Sequence, residues 1–185
     1  MNPNISTDPA NGIAAASDST DNQHSLWEMI VFFTLTLWLG ASLLLDLLIM
    51  PGLYVTGMTS EPSFVLAGHL IFCVFNRAEL VSAALVLTGV LILKNTSNSS
   101  KAWPSQMAMS LSLLLLVIPL IYTYGLTPQM SAFGVQLNLF ETTTSVSTGM
   151  NQLHQAYWGL EILKLLVSGT LLIQLFSRAK AVLSL

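Results

Sequence analysis

The chain has 185 residues, of which 53% are hydrophobic and 8% are charged, whereas ordinary soluble domains have roughly 25% charged residues. This composition excludes an ordinary soluble fold, and it excludes disorder for most of the chain, because disordered segments combine low hydrophobicity with many charges. The net charge of −3, with only six Lys and Arg residues, argues against nucleic-acid binding, which needs clustered basic side chains. The sequence is therefore typical of a polytopic membrane protein.

The first 24 residues differ from the rest of the chain. Residues 1–24 are polar, contain no Lys or Arg and have no apolar run. We expect them to form a flexible N-terminal tail, followed by a membrane domain over residues 25–185.

Four long apolar segments follow this tail. They predict spans at about residues 26–50, 63–93, 104–126 and 152–176, each long enough to cross a hydrocarbon layer of about 30 Å. Backbone groups in lipid must pair within their own segment, so the spans are expected to be helices. The predicted fold is an all-α bundle of four transmembrane helices. In the connection 127–151, the sequence predicts a short interfacial helix followed by an exposed turn.

The basic residues that flank the spans all fall on one side of this topology. Lys94 and Lys101 lie between spans two and three, and Arg178 and Lys180 follow span four. The other two loops contain no Lys or Arg. The positive-inside rule therefore predicts that both termini lie on the cytoplasmic or stromal side.

Five ionisable residues lie inside the predicted spans, each about 21–27 Å from the inner boundary at 1.5 Å per residue. They are Asp46, Arg77, Glu79, Glu161 and Lys164. Because an unpaired charge in hydrocarbon is costly, we expect an interhelical polar network. Matching depths predict the pairs Arg77–Glu161 and Glu79–Lys164, with Asp46 near Arg77.

This network has a structural and a functional interpretation. In the structural one, the charge pairs fix the register of the helices; in the functional one, they form a proton or ion pathway or an acid–base site. Two features argue against a transporter: no charge continues the network to the inner face, and four helices leave little room for inverted repeats.

Two histidines are the candidate cofactor ligands. His69 and His154 lie near the outer ends of spans two and four. They are open to three interpretations: interfacial residues, single ligands to a chlorophyll magnesium, or paired axial ligands to a haem iron. The one cysteine, Cys73, allows no disulfide and indicates packing rather than a metal site. The sequence carries no motif of a soluble enzyme, so no catalytic residue is predicted.

Small and aromatic residues predict architectural features. Close approach of helices is expected at Gly40–Ser42, at Ser82–Ala84 with Gly89, and at Ser168–Thr170. An aromatic belt at the span ends is expected to comprise Trp27, Trp103, Tyr122, Tyr124, Tyr157 and Trp158.

Several short motifs carry a family resemblance that runs from about Leu37 to Gln174. They are Trp38-Leu39-Gly40, Met50-Pro51-Gly52, Ala67-Gly68 with Phe72, Leu126-Thr127-Pro128 and Asn151-Gln152-Leu153-His154. In these motifs the chain resembles the transmembrane-protein-205-like family, a four-span domain of unknown function. The resemblance implies no enzyme activity and favours a role for His154. The polar tail and the long loop before span four, which has no Lys or Arg, depart from the family pattern.

The chain is also similar, in its low charge, polar tail and four-span domain, to proteins of oxygenic phototrophs that accompany photosystem assembly. This similarity implies a thylakoid or plasma-membrane location and photosystem II assembly intermediates as partner. The interpretation that we favour is a non-catalytic accessory or assembly subunit, embedded in the bilayer and packed against a larger membrane complex. One alternative is a small transporter or proton-handling protein that uses Asp46, Glu79 and Glu161. The other is a chlorophyll- or haem-binding protein with His69 or His154 as ligand.

Overall fold

The computed structural model describes residues 9–56, 62–96, 105–130, 132 and 148–183. Helix α1 spans Pro9–Leu44 and continues through a π-helical segment, π1 (Leu45–Ile49), into α2 (Met50–Val55). Helix α3 spans Pro62–Thr96. Helix α4 spans Gln106–Ile121 and continues into a second π-helical segment, π2 (Tyr122–Leu126). Helix α5 spans Thr148–Leu183.

Four helical stretches are long and apolar enough to cross a membrane. They are Gln23–Leu53, Leu70–Thr96, Gln106–Met130 and Gln152–Ser177. The predicted fold class is thereby confirmed: the described part of the chain is an all-helical integral membrane protein with four candidate spans. The side of the membrane on which the termini lie stays a prediction.

The N-terminal part of α1 differs from the expected tail. The structure is helical from Pro9 onward, whereas the composition of residues 1–24 predicted a flexible segment. The local sequence explains the helix, because Pro9 suits a first helical turn and the run Ala14–Ala16 has the highest helix propensity. Residues 1–8 and Lys101 lie outside the described residues. So does the connection that was predicted to hold an interfacial helix and an exposed turn, except for residues 127–130, residue 132 and the start of α5.

The four spans close into a ring. Helix α1 packs against α3 and α5, and α4 packs against the same two helices. At the start of α4, the Ser105 hydroxyl accepts a hydrogen bond from the Ala108 backbone N–H at 3.2 Å, which caps the helix. The ring encloses one central column of side chains, so a polar residue on an inward face meets three other helices.

The half of this column nearer Lys94 is apolar. Its buried side chains include Val31, Leu35, Val86, Val90, Leu93, Ala108, Leu115, Leu171 and Leu175. Between lipid-embedded helices this contact gains van der Waals packing rather than a hydrophobic driving force.

Glycine permits close helix contact at one of the predicted places. A Cβ added at Gly89 would collide with the Val31 side chain of α1, so α1 and α3 need a glycine there. A Cβ at Gly40 or Gly169 would have no atom within 4 Å. Those two glycines therefore lie outside the tight contacts between the described helices, contrary to the expectation.

Candidate functional site

Four ionisable side chains meet in the central column, and we call them the acid–lysine cluster. Asp46 comes from π1, Glu79 from α3, and Glu161 and Lys164 from α5. Asp46 is 7% exposed and each of the other three is 1% exposed. Charged residues of these types are almost never so fully buried unless they are paired.

Lys164 bridges two of the acids. Its Nζ forms an ion pair with Glu79 Oε1 and another with Glu161 Oε1, the latter at 2.5 Å. The ammonium also lies 5.6 Å from the centre of the Tyr122 ring and 5.8 Å from that of Phe75, which suits a cation–π contact. The structure therefore brings together Glu79 and Lys164, the pair that matched in depth, and joins Glu161 to them.

Neutral donors complete the surroundings of the two glutamates. Glu79 Oε1 accepts hydrogen bonds from Trp38 Nε1 at 3.1 Å and from the Ser42 hydroxyl at 3.3 Å. Glu161 Oε2 accepts one from the Tyr122 hydroxyl at 3.0 Å. Each helix of the ring thus contributes at least one polar group to the cluster.

The cluster holds more acids than cations. Asp46, Glu79 and Glu161 contribute three carboxyl groups, whereas Lys164 contributes one ammonium. Asp46 Oδ2 and Glu79 Oε2 are buried and have no hydrogen-bond partner among the described residues. With all three acids ionised, one lysine would leave two excess negative charges in the interior of the bundle.

One π-helical segment supplies a member of the cluster, Asp46, and the other supplies Tyr122, which donates a hydrogen bond to Glu161. The Met50 backbone N–H donates to the Leu45 carbonyl in π1, and the Thr127 N–H donates to the Tyr122 carbonyl in π2. Prolines flank these segments, with Pro51 just after π1 and Pro119 just before π2, and proline removes one backbone donor from a helix. Single π turns occur often at functional sites, and here they carry Asp46 and Tyr122.

Arg77 lies apart from the acid–lysine cluster. Its side chain is exposed on the outside of the bundle, and no ion pair between Arg77 and Glu161 is present among the described residues. The predicted Arg77–Glu161 pair is therefore wrong, whereas the position of Asp46 near Arg77 stays a prediction. The reason is angular: Arg77 and Glu79 are two residues apart, or about 200° around the helix, so only one of them can point inward.

The candidate cofactor ligands do not form a described site. Helix α3 carries His69, but its side chain lies outside the described part of the structure. The His154 side chain is exposed on α5. Cys73, on α3, is partly buried. In the described part of the chain, no group of three or more His, Cys, Asp or Glu side chains is arranged to hold a metal ion. Ligation of chlorophyll or haem stays a prediction.

Several side chains of the site were not predicted from the sequence. Tyr122 was expected in an aromatic belt, yet it is completely buried, and its ring centre lies 4.9 Å from that of Tyr157. Trp38 and Ser42 precede Asp46 at spacings of eight and four residues, which places all three on one helical face. That spacing was the signal available in the sequence for two of the donors to Glu79.

No family model matches the chain, and comparison with curated proteins and with solved structures found no similar protein. The resemblance to the transmembrane-protein-205-like family therefore stays a prediction.

Proposed function

We propose that this protein is a small proton-handling membrane protein whose acid–lysine cluster binds and releases protons. The observation that carries the proposal is the enclosure of three carboxyl groups with one ammonium in the core of the bundle. Intramembrane ionisable residues are rare, and they commonly mark proton relays and ion pathways.

Charge balance supports protons as the ligand. Two excess charges in a low-dielectric interior are costly, and neutralisation by protonation is the usual response of buried carboxyl groups.

Infrared difference spectroscopy of the protein in lipid nanodiscs tests this proposal directly. A change of pH should produce a carbonyl stretch of protonated carboxyl groups in a water-shielded environment. Asp46→Asn and Glu79→Gln should each remove part of this band. Glu28→Gln removes the same charge from a partly exposed residue outside the cluster and should leave the band unchanged. A spectrum without any pH-dependent buried carboxyl band would overturn the proposal.

A second observation favours the accessory-subunit interpretation. The outward face of α1 carries an apolar groove lined by Phe33, Thr36, Leu37, Gly40, Ala41 and Leu44. Because Gly40 has no atom near its Cβ position, a helix of another protein can approach closely there. We propose a larger membrane complex as the occupant, with photosystem II assembly intermediates in a thylakoid membrane as the candidate that the similarity to phototroph proteins implies.

Affinity purification in mild detergent tests the second function. A complex should co-purify with the wild-type chain and with Gly52→Leu, whose position is also open, but not with Gly40→Leu. A wild-type protein that migrates as a free monomer would contradict this role. The visible spectrum of the same sample tests the tetrapyrrole alternative, since a colourless preparation that gains no pigment on reconstitution excludes it.

A further inference from the structure

Among the described residues, buried polar atoms without a hydrogen-bond partner continue from the acid–lysine cluster toward one end of the bundle only. We call this end, where π1 leads into α2 and α5 begins, the α2 end, and the opposite one the Lys94 end. Asn76 lies one turn from Glu79 toward the α2 end and is 1% exposed. Its Nδ2 donates to the Thr127 hydroxyl at 2.7 Å, which extends the polar column to the end of span three.

Two further oxygens along this column are available for hydrogen bonds. Asn76 Oδ1 and Thr123 Oγ1 are buried and have no partner among the described residues. The Tyr157 ring contacts the Phe72 ring edge to face and the Tyr122 ring at a tilt, with centre distances of 5.7 Å and 4.9 Å. Buried oxygens of this kind are the groups that internal water molecules bind.

Toward the Lys94 end, most of the described buried side chains are apolar. From Glu79 toward the Lys94 end, the next buried positions of α3 are Ala83, Val86, Val90 and Leu93, each 0% exposed. The facing helices contribute further apolar side chains to the same core. The buried hydroxyls there already donate to backbone of their own helices, Ser112 to the Met109 carbonyl and Ser168 to the Lys164 carbonyl. Among the described residues, no buried side-chain N or O atom in this apolar core lacks a hydrogen-bond partner.

We propose that the acid–lysine cluster exchanges protons with the α2 side of the membrane only, through water held by Asn76, Thr123 and Thr127. This inference rests on the proposed proton-handling function and adds its sidedness. The titratable groups that face the cluster are Asp46 from π1, Glu79 from α3, Tyr122 from π2, and Tyr157 and Lys164 beside Glu161 from α5. If the positive-inside prediction holds, the α2 side is the non-cytoplasmic compartment, and the protein responds to its acidity.

A built-in reporter makes the sidedness measurable. Trp38 donates to Glu79 Oε1, so its emission should change when the cluster gains or loses a proton. The other three tryptophans, Trp27, Trp103 and Trp158, are replaced by Phe. The protein is reconstituted into liposomes, vesicles of one orientation are selected by a tag on the tail, and the pH on each side is set separately.

Trp38 emission should change when the pH on the α2 side changes, and it should not change when only the pH on the Lys94 side changes. If Trp38 emission changes with the pH on the Lys94 side, or equally with the pH on both sides, the proposed one-sided exchange is wrong, whereas the proposed proton-handling function still holds. Steady proton flux through the wild-type protein also contradicts one-sided access. No response with both sides equilibrated overturns the proposed function itself. If the triple Phe variant does not fold, the infrared band of the wild-type protein is recorded instead, after the pH of one side is changed.

A matched pair of variants locates the route. Asn76→Leu should slow the response by about tenfold, which corresponds to about 1.4 kcal/mol of activation free energy. Ser112→Ala removes a buried polar group toward the Lys94 end and should leave the rate unchanged. Equal rates for wild type and Asn76→Leu would show that protons do not pass Asn76.

Discussion

Replacement of Lys164 by methionine tests whether the acid–lysine cluster holds the bundle together. The ammonium is the shared partner of Glu79 and Glu161, and all three side chains are 1% exposed. Removal of one partner from a buried ion pair costs about 3–5 kcal/mol, because the remaining charge is left uncompensated. Glu79 keeps its two neutral donors and Glu161 keeps the Tyr122 hydroxyl, so we expect the lower end, about 3 kcal/mol.

The assay is reversible unfolding in mixed detergent micelles, followed by tryptophan emission. Lys94→Met is the control, because this exposed lysine lies outside the cluster and should change the free energy of unfolding by no more than about 0.5 kcal/mol. The double variant Lys164→Met/Glu79→Gln should lose about 1 kcal/mol or more less free energy of unfolding than the two single variants lose together, because the effects of substitutions at contacting residues are not additive. A cost below about 1 kcal/mol for Lys164→Met, or strict additivity with Glu79→Gln, would refute the reasoning.

Three further variants test the packing and the polar network by the same unfolding assay. Gly89→Ala should destabilise the bundle by about 1–3 kcal/mol, because the added methyl group collides with the Val31 side chain of α1, which is stiff at χ1. The control is Gly169→Ala, whose methyl group meets no atom. It should leave the free energy of unfolding unchanged or raise it by up to about 1 kcal/mol. Tyr122→Phe removes a hydrogen bond to a carboxyl group and should cost about 1.5–3 kcal/mol, whereas Tyr124→Phe, at 74% exposure, should cost nothing measurable. Arg77→Gln should change the stability by less than about 0.5 kcal/mol, and a loss of several kcal/mol would show that this side chain does pair inside the bundle.

The depth of each ionisable residue along its span could be predicted from the sequence, but the direction in which its side chain points around the helix could not. Counting residues brought Glu79 and Lys164 to the same level, and the structure joins them. The same count placed Arg77 beside Glu161, although Arg77 points away from the bundle. The pair Glu161–Lys164 was not predicted, although residues three apart are neighbours on one helix face.

The sequence alone determined that this is a membrane protein with four helical spans, because length and hydropathy suffice where the backbone must satisfy its own hydrogen bonds. Only the tertiary structure decided which polar residues point inward, since rotation and packing of the helices depend on contacts between segments distant in the chain. It also showed the two π turns that carry Asp46 and Tyr122, the burial of Tyr122, and the polar column that continues past Asn76 in one direction. These features depend on four helices meeting at one level of the bundle, which no single apolar segment specifies.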